Sequence, residues 1–257
     1  MNELVRKLDE EIAKRLEGDD GLLSVYEYLS GNERIAALHD MANIVLVQRL
    51  KYNDHGRVHA RITTLNALKI IDILGERVVK ESWRTFRDSK LIVMVASFLH
   101  DIGNAINRED HELLSVFLSR PFVEEIMNMF YEEEQMKVKV SSMIYEAIMC
   151  HMGRYTPTSL EAGIVATADG CDMEEERARL PFKLGEKDIH KYSALAVQKV
   201  NIIPGEQKPL RIEVKMKDPS GVFQIQEILM KKIKGTNFQD YVEIIAVIND
   251  KEIIRFI

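Results

Sequence analysis

The stretch FLHDIGNAINREDHE, Phe98 to Glu112, decides the reading. A near-continuous apolar run from Leu91 to Leu99 leads straight into His100 and Asp101. Such a run spells a helix buried on every side, and this one ends on an imidazole beside a carboxylate. Burying an ionised carboxylate without a partner costs several kcal/mol, so Asp101 must be paired, neutralised or bound to a cation.

Working outward, the first 180 or so residues read as helices. Amphipathic patterns cover Leu4–Leu16, Leu22–Leu29, Arg34–Tyr52 and Gly56–Leu74, the last with Val58, Ile62, Leu65 and Leu68 at helical spacing. The apolar helix covers Lys90–Asp101, with Gly103 suited to its stop. Asn107 and Asp110 form a capping pair for a helix running through Leu118, and Glu132–Met152 is a further long helix. Thr158-Ser159-Leu160-Glu161, just after Pro157, matches a capping box for the helix that carries Asp169. A charged stretch from Glu174 to Lys187 then changes the composition. Beyond it Val200–Ile203 and the strictly alternating Leu210–Met216 read as strands, and a helix follows from Ser220 to Lys232. Tyr241–Ile248 and Glu252–Ile257 make a hairpin around Asn249-Asp250-Lys251. The expectation is a mainly α protein in two parts, a helical domain over 1–187 and a small α+β unit, ββαββ, over 188–257.

With 46% hydrophobic and 30% charged residues in 257, the chain has the makeup of a soluble globular protein with ample core. A net charge of -6 does not advertise nucleic-acid binding. No segment approaches the roughly 20 apolar residues of a membrane span, and the start has no signal-peptide pattern. Cys150 and Cys171 are therefore expected as free thiols in a reducing, cytoplasmic compartment.

Around Asp101 a set of chemistry-bearing residues emerges: His55, His59, His100, His111, His151 and Asp169. Imidazole with carboxylate suits a borderline cation, and six ligands suit two ions better than one. Each residue also has a plainer reading. A histidine at a helix end is commonly a cap or a hydrogen-bonded core residue, and Asp169 is equally placed to hold a neighbouring helix terminus. Periodicity leaves the two readings level.

The order His59, His100-Asp101, Asp169, with Phe98-Leu99-His100-Asp101-Ile102-Gly103 at its centre, resembles the HD superfamily of metal-dependent phosphohydrolases over roughly residues 30 to 180. Residues Ile62 and Thr63 favour His59 over His55 as the first ligand. The added His111 and His151 are similar to the two-metal subgroup, and His151-Met152-Gly153-Arg154 with Thr158-Ser159-Leu160 resembles the HD-type diadenosine tetraphosphate hydrolases. Asn104 stands where many two-metal members have lysine, and the Gly-Tyr-Pro triplet of the cyclic dinucleotide phosphodiesterases is missing.

The resemblance implies a helical bundle that holds two divalent ions through His59, His100, Asp101, His111, His151 and Asp169. Manganese or iron is favoured, with Mg, Zn, Ni and Co as other candidates. Asp101 bridges the ions, and Arg154, in a loop beside the site, either grips the phosphate of a small ester such as a nucleotide or pairs with a surface acid. Asp172, one turn after Asp169, is either a partner for an imidazole or an exposed helix residue. His55 is read as a helix cap or a general acid. Alternatives are an HD-type di-iron oxygenase and a nucleotide sensor without turnover. The tail, with Lys215, Lys217, Lys231, Lys232 and Lys234 as a solvated basic face, is expected to regulate or to dimerise the chain.

Overall fold

The computed structural model describes residues 3–175 and 193–257. Among the described residues, eight α-helices form the first part: α1 Glu3–Leu16, α2 Asp20–Gly31, α3 Glu33–Asn43, α4 Arg57–Leu74, α5 Phe86–Leu99, α6 His111–Phe130, α7 Glu134–Cys150 and α8 Leu160–Gly170. A π-helical turn, Ile44–Arg49, prolongs α3. Asp19 opens α2 by accepting from Leu22 N at 3.0 Å, and Asn32 opens α3 by accepting from Arg34 and Ile35 N.

Helix α5 is the axis of the bundle, packed on by α2, α4, α7 and α8. Its residues Leu91 to Ala96 are fully shielded, and Phe98 and Leu99 are at most 1% exposed. At roughly 1.5–3 kcal/mol for each buried apolar side chain, this helix contributes more to burial than any amphipathic neighbour of its length can. It starts five residues before the apolar run because Thr85 and Asp88 form a reciprocal capping box.

Three local expectations need correction. Asp110 adopts a left-handed conformation, φ 55°, before α6 and makes no side-chain cap, and α6 runs past Pro121 to Phe130 rather than stopping at Leu118. Ser159, not Thr158, caps α8, accepting from Ala162 N at 3.3 Å. Glu161 is drawn instead into the interior by Arg84. Gly103 serves close approach rather than a helix stop: a Cβ there would lie 2.1 Å from the carbonyl oxygen of His111.

The C-terminal part has the expected ββαββ order. Strands β1 Val197–Pro204, β2 Leu210–Met216, β3 Val242–Ile248 and β4 Glu252–Arg255 form one sheet in the order β1-β2-β3-β4. Both hairpins are antiparallel, while β2 and β3 pair in parallel, Ile212 opposite Ile244. The crossover between them is helix α9, in which Val222–Gln224, Ile225–Leu229 and Met230–Lys234 run on as one. Asn249 and Asp250, both at positive φ, turn the last hairpin as the sequence signalled. A single buried apolar cluster extends from Leu8 through α5 to Ile248. The expected boundary at 187/188 falls outside the described residues.

Candidate metal centre

The end of α5 delivers His100 and Asp101 to the middle of the bundle. Helix α4 brings His59, the start of α6 brings His111, the residue after α7 is His151, and α8 carries Asp169. All six are at most 7% exposed. The structure thus brings together every metal ligand expected from the sequence.

The two oxygens of Asp101 divide the histidines. Oδ2 lies 3.3 Å from His59 Nε2 and 3.4 Å from His100 Nε2, while Oδ1 lies 3.3 Å from His111 Nε2 and 3.5 Å from His151 Nε2. Asp169 Oδ1 joins the first pair, 3.3 Å from His59 Nε2 and 3.8 Å from His100 Nε2.

The opposite nitrogen of each ring is already engaged. Nδ1–H donates to the carbonyl of Ser97 from His100 (2.7 Å), of Ile148 from His151 (2.6 Å) and of Arg108 from His111 (3.0 Å). His59 Nδ1 donates to Asp172 Oδ2 at 2.5 Å, so Asp172 orients an imidazole and is not an exposed residue. A neutral imidazole with its proton on Nδ1 presents a lone pair at Nε2. Four such lone pairs converge on two carboxylates, the donor set that suits divalent cations.

Charge supports the same reading. Burial alone raises the Asp101 pKa, but the cationic forms of the His100 and His55 rings, in which a proton stands at the nitrogen where a metal would, and hydrogen bonds from His100 and His111 outweigh it and hold the carboxyl well below its ordinary value. Asp169 behaves alike, with burial opposed chiefly by the Lys232 ammonium. Burial also pulls His151 down to about 4, so it is neutral and available as a ligand.

His55 does not cap its helix. Asp54 Oδ1 takes that place, accepting from Gly56 N at 3.1 Å, and His55 Nδ1 reaches Asp101 Oδ2 at 2.6 Å. Arg154 sits exposed at the rim, 3.1 Å from Asp110 Oδ1 and 3.6 Å from Glu112 Oε1. Arg57 pairs with Asp40 and Arg61 with Asp9. Asn104 is buried, donates to Asp101 Oδ1 at 2.9 Å and accepts from Arg108 at 3.4 Å.

Two cations escaped the sequence reading. Arg108 Nη1 lies 3.3 Å from His111 Nε2, in a loop residue with no periodicity to mark it. Lys232, expected on a solvated face, is 7% exposed and forms an ion pair with Asp169 Oδ2. Its burial depends on how α9 docks against α8, which a lysine-rich run does not announce. Cys150 and Cys171 are buried free thiols, burial pushes Cys150 up to about 11, and among the described residues neither belongs to a group placed to hold a metal ion. A cavity of about 440 Å³ is lined by His59 and Asp172, with an apolar wall including Leu8, Val58 and Ile62 and with Lys69 and Lys199. Among the described residues, no helix is long and apolar enough to cross a membrane.

The sequence matches the HD domain over residues 57–174, a span that holds all six clustered residues. The chain belongs to the HD family, whose members are typically metal-dependent phosphohydrolases binding divalent metal ions, and the His/Asp clusters fit that binding. It is similar to the uncharacterized protein MJ1020 of Methanocaldococcus jannaschii, 37% identical over 246 residues and covering 94% of each chain. No solved structure matches.

Proposed function

We propose that the chain hydrolyses a small phosphate ester, a nucleotide in the first instance, at a centre of two divalent ions. One ion would be held by His59, His100, Asp101 and Asp169, the other by Asp101, His111 and His151, with manganese or iron as the favoured metals. The observation that carries this is the division of the four Nε2 lone pairs between the two oxygens of one buried carboxylate. When bound, such ions acidify a water at neutral pH and draw off charge that develops on a phosphoryl group.

The chain's own residues do the remaining work. Asp172 and the Ser97, Arg108 and Ile148 carbonyls hold the imidazoles in one tautomer. Asn104 fixes Asp101 and carries no charge, so a phosphate must find its cationic partner elsewhere. Arg108, beside His111, and Arg154 at the rim supply guanidinium groups for that purpose. The apolar wall of the cavity beside His59 suits a nucleobase, and Lys69 and Lys199 suit further phosphates. A net charge of -6 favours a small ester over a nucleic acid.

The test is phosphate release from a panel of nucleotides and simple phosphate esters with added Mn²⁺. Wild type is expected to release phosphate and Asp101→Ala is not. Release by both would place the reaction elsewhere. Oxygen consumption with iron and no phosphate would replace hydrolysis by oxygenase chemistry, and nucleotide binding without turnover would make the chain a sensor.

A further inference from the structure

Helix α9 belongs to the ββαββ part, yet its Lys232 ends inside the bundle. The Nζ atom pairs with Asp169 Oδ2, donates to the carbonyl oxygen of His151 at 3.2 Å and lies 3.4 Å from Met152 Sδ. These partners lie 63 and 81 residues away along the chain for Asp169 and His151. The approach is built into the backbone. A Cβ at Gly170 would sit 3.0 Å from Leu229 Cδ1 and 3.3 Å from Lys232 Cδ, and one at Gly235 would sit 2.6 Å from the Gly153 carbonyl oxygen. Glycine at these positions lets α9 lie close enough for one lysine to touch residues of both halves of the centre.

The two oxygens of Asp169 are therefore divided. Oδ1 faces His59 and His100, and Oδ2 faces Lys232. We infer that Lys232 is a positioning residue for the centre, and that by occupying Oδ2 it limits Asp169 to one-oxygen ligation. The ββαββ unit is then a working part of the centre, whatever else it does. This rests on the metal-binding reading above.

The charge has a sign that a bracing role lacks. An ammonium and a metal ion on opposite oxygens of one carboxylate compete for its charge and repel each other. Removing the ammonium frees Oδ2 for the ion, strengthens its hold and fills a coordination position that substrate or water needs. Tighter metal binding with slower turnover is the consequence. A lysine that merely braced the fold would give looser binding and slower turnover together.

The experiment titrates metal-free full-length wild type, Lys232→Met, Lys232→Gln and Lys232→Arg with Co²⁺, following heat and visible absorption. Lys232→Gln keeps a hydrogen-bond donor and serves where the apolar variant folds poorly. The uncharged variants are expected to bind one equivalent roughly tenfold more tightly than wild type, the lower end of what partners of metal ligands contribute. Their absorption should weaken as the coordination number rises, and Lys232→Arg should stay near wild type. Unchanged or weaker affinity in the uncharged variants would overturn the inference while the metal centre stood. A wild type that binds no Co²⁺ would overturn the metal centre, and this inference with it.

Discussion

Two buried polar clusters in this bundle look alike in composition and differ in logic. Arg84, between α4 and α5, donates from Nε to Glu81 at 2.6 Å, from Nη1 to Ser89 and Glu161, and from Nη2 to the Val78 carbonyl at 3.3 Å. Each guanidinium nitrogen meets an oxygen acceptor, and the cluster is electrostatically closed. At the metal centre acceptor meets acceptor instead. His59 Nε2 lies 3.0 Å from His100 Nε2, His111 Nε2 lies 3.2 Å from His151 Nε2, and the carboxylates of Asp101 and Asp169 stand between them. Lone pairs turned toward lone pairs and anions are what a cation needs and what a structural network avoids. The difference separates a cluster that stabilises the fold from one whose donor set fits divalent cations.

The contrast can be broken from either side. Arg84→Met should have the largest effect on the fold: it strands the fully buried Glu161, whose pKa burial already raises, and costs about 3–5 kcal/mol in denaturant unfolding. Metal affinity should follow only through global unfolding. A loss under 1 kcal/mol, roughly the value of an exposed pair, would show that the cluster is not closed. Asp172→Ala works the other way. It removes the acceptor that orients His59, so metal affinity should fall about 10- to 100-fold with little change in the Tm of the metal-free protein. Unchanged affinity would mean that His59 is held by packing alone.

A smaller, graded effect separates neutral from charged histidines. Burial lowers His39 to about 3 and His151 to about 4, from an ordinary 6.5. The unfolded chain therefore binds more protons than the folded one below pH 6.5, and stability rises with pH through that window. The Tm of the metal-free protein should be level above pH 7 and fall steadily from about 6.5 toward 4. A Tm that is flat or rises on acidification would contradict this.

Much of this was legible in the sequence, and the limits have physical causes. A nine-residue run, apolar but for Ser97, that ends in His100-Asp101 announces a buried helix with a polar terminus, because period and burial are local properties. The strict alternation of Leu210–Met216 and the Asn249-Asp250 turn gave the tail for the same reason. His59, His111, His151 and Asp169 were placed by their order along a known family pattern rather than by periodicity. What escaped was decided by tertiary docking. Lys232 sits among Lys231 and Lys234, and only the glycine-lined approach of α9 chooses which one is buried. Glu161 matched a capping box, but a buried arginine 77 residues away outbid the helix terminus for it. His55 and Asp54 are neighbours with interchangeable capping chemistry, and the carboxylate of Asp101 settled their roles.

The central claim is that Asp101 is buried because both of its oxygens serve cations. The most direct test is metal content after saturation with Mn²⁺ and removal of the excess, for wild type and Asp101→Ala, with helicity checked by circular dichroism. The account predicts two equivalents in wild type and a severe loss from both positions in a variant that keeps its helices. A folded Asp101→Ala protein with its full complement of metal would contradict it.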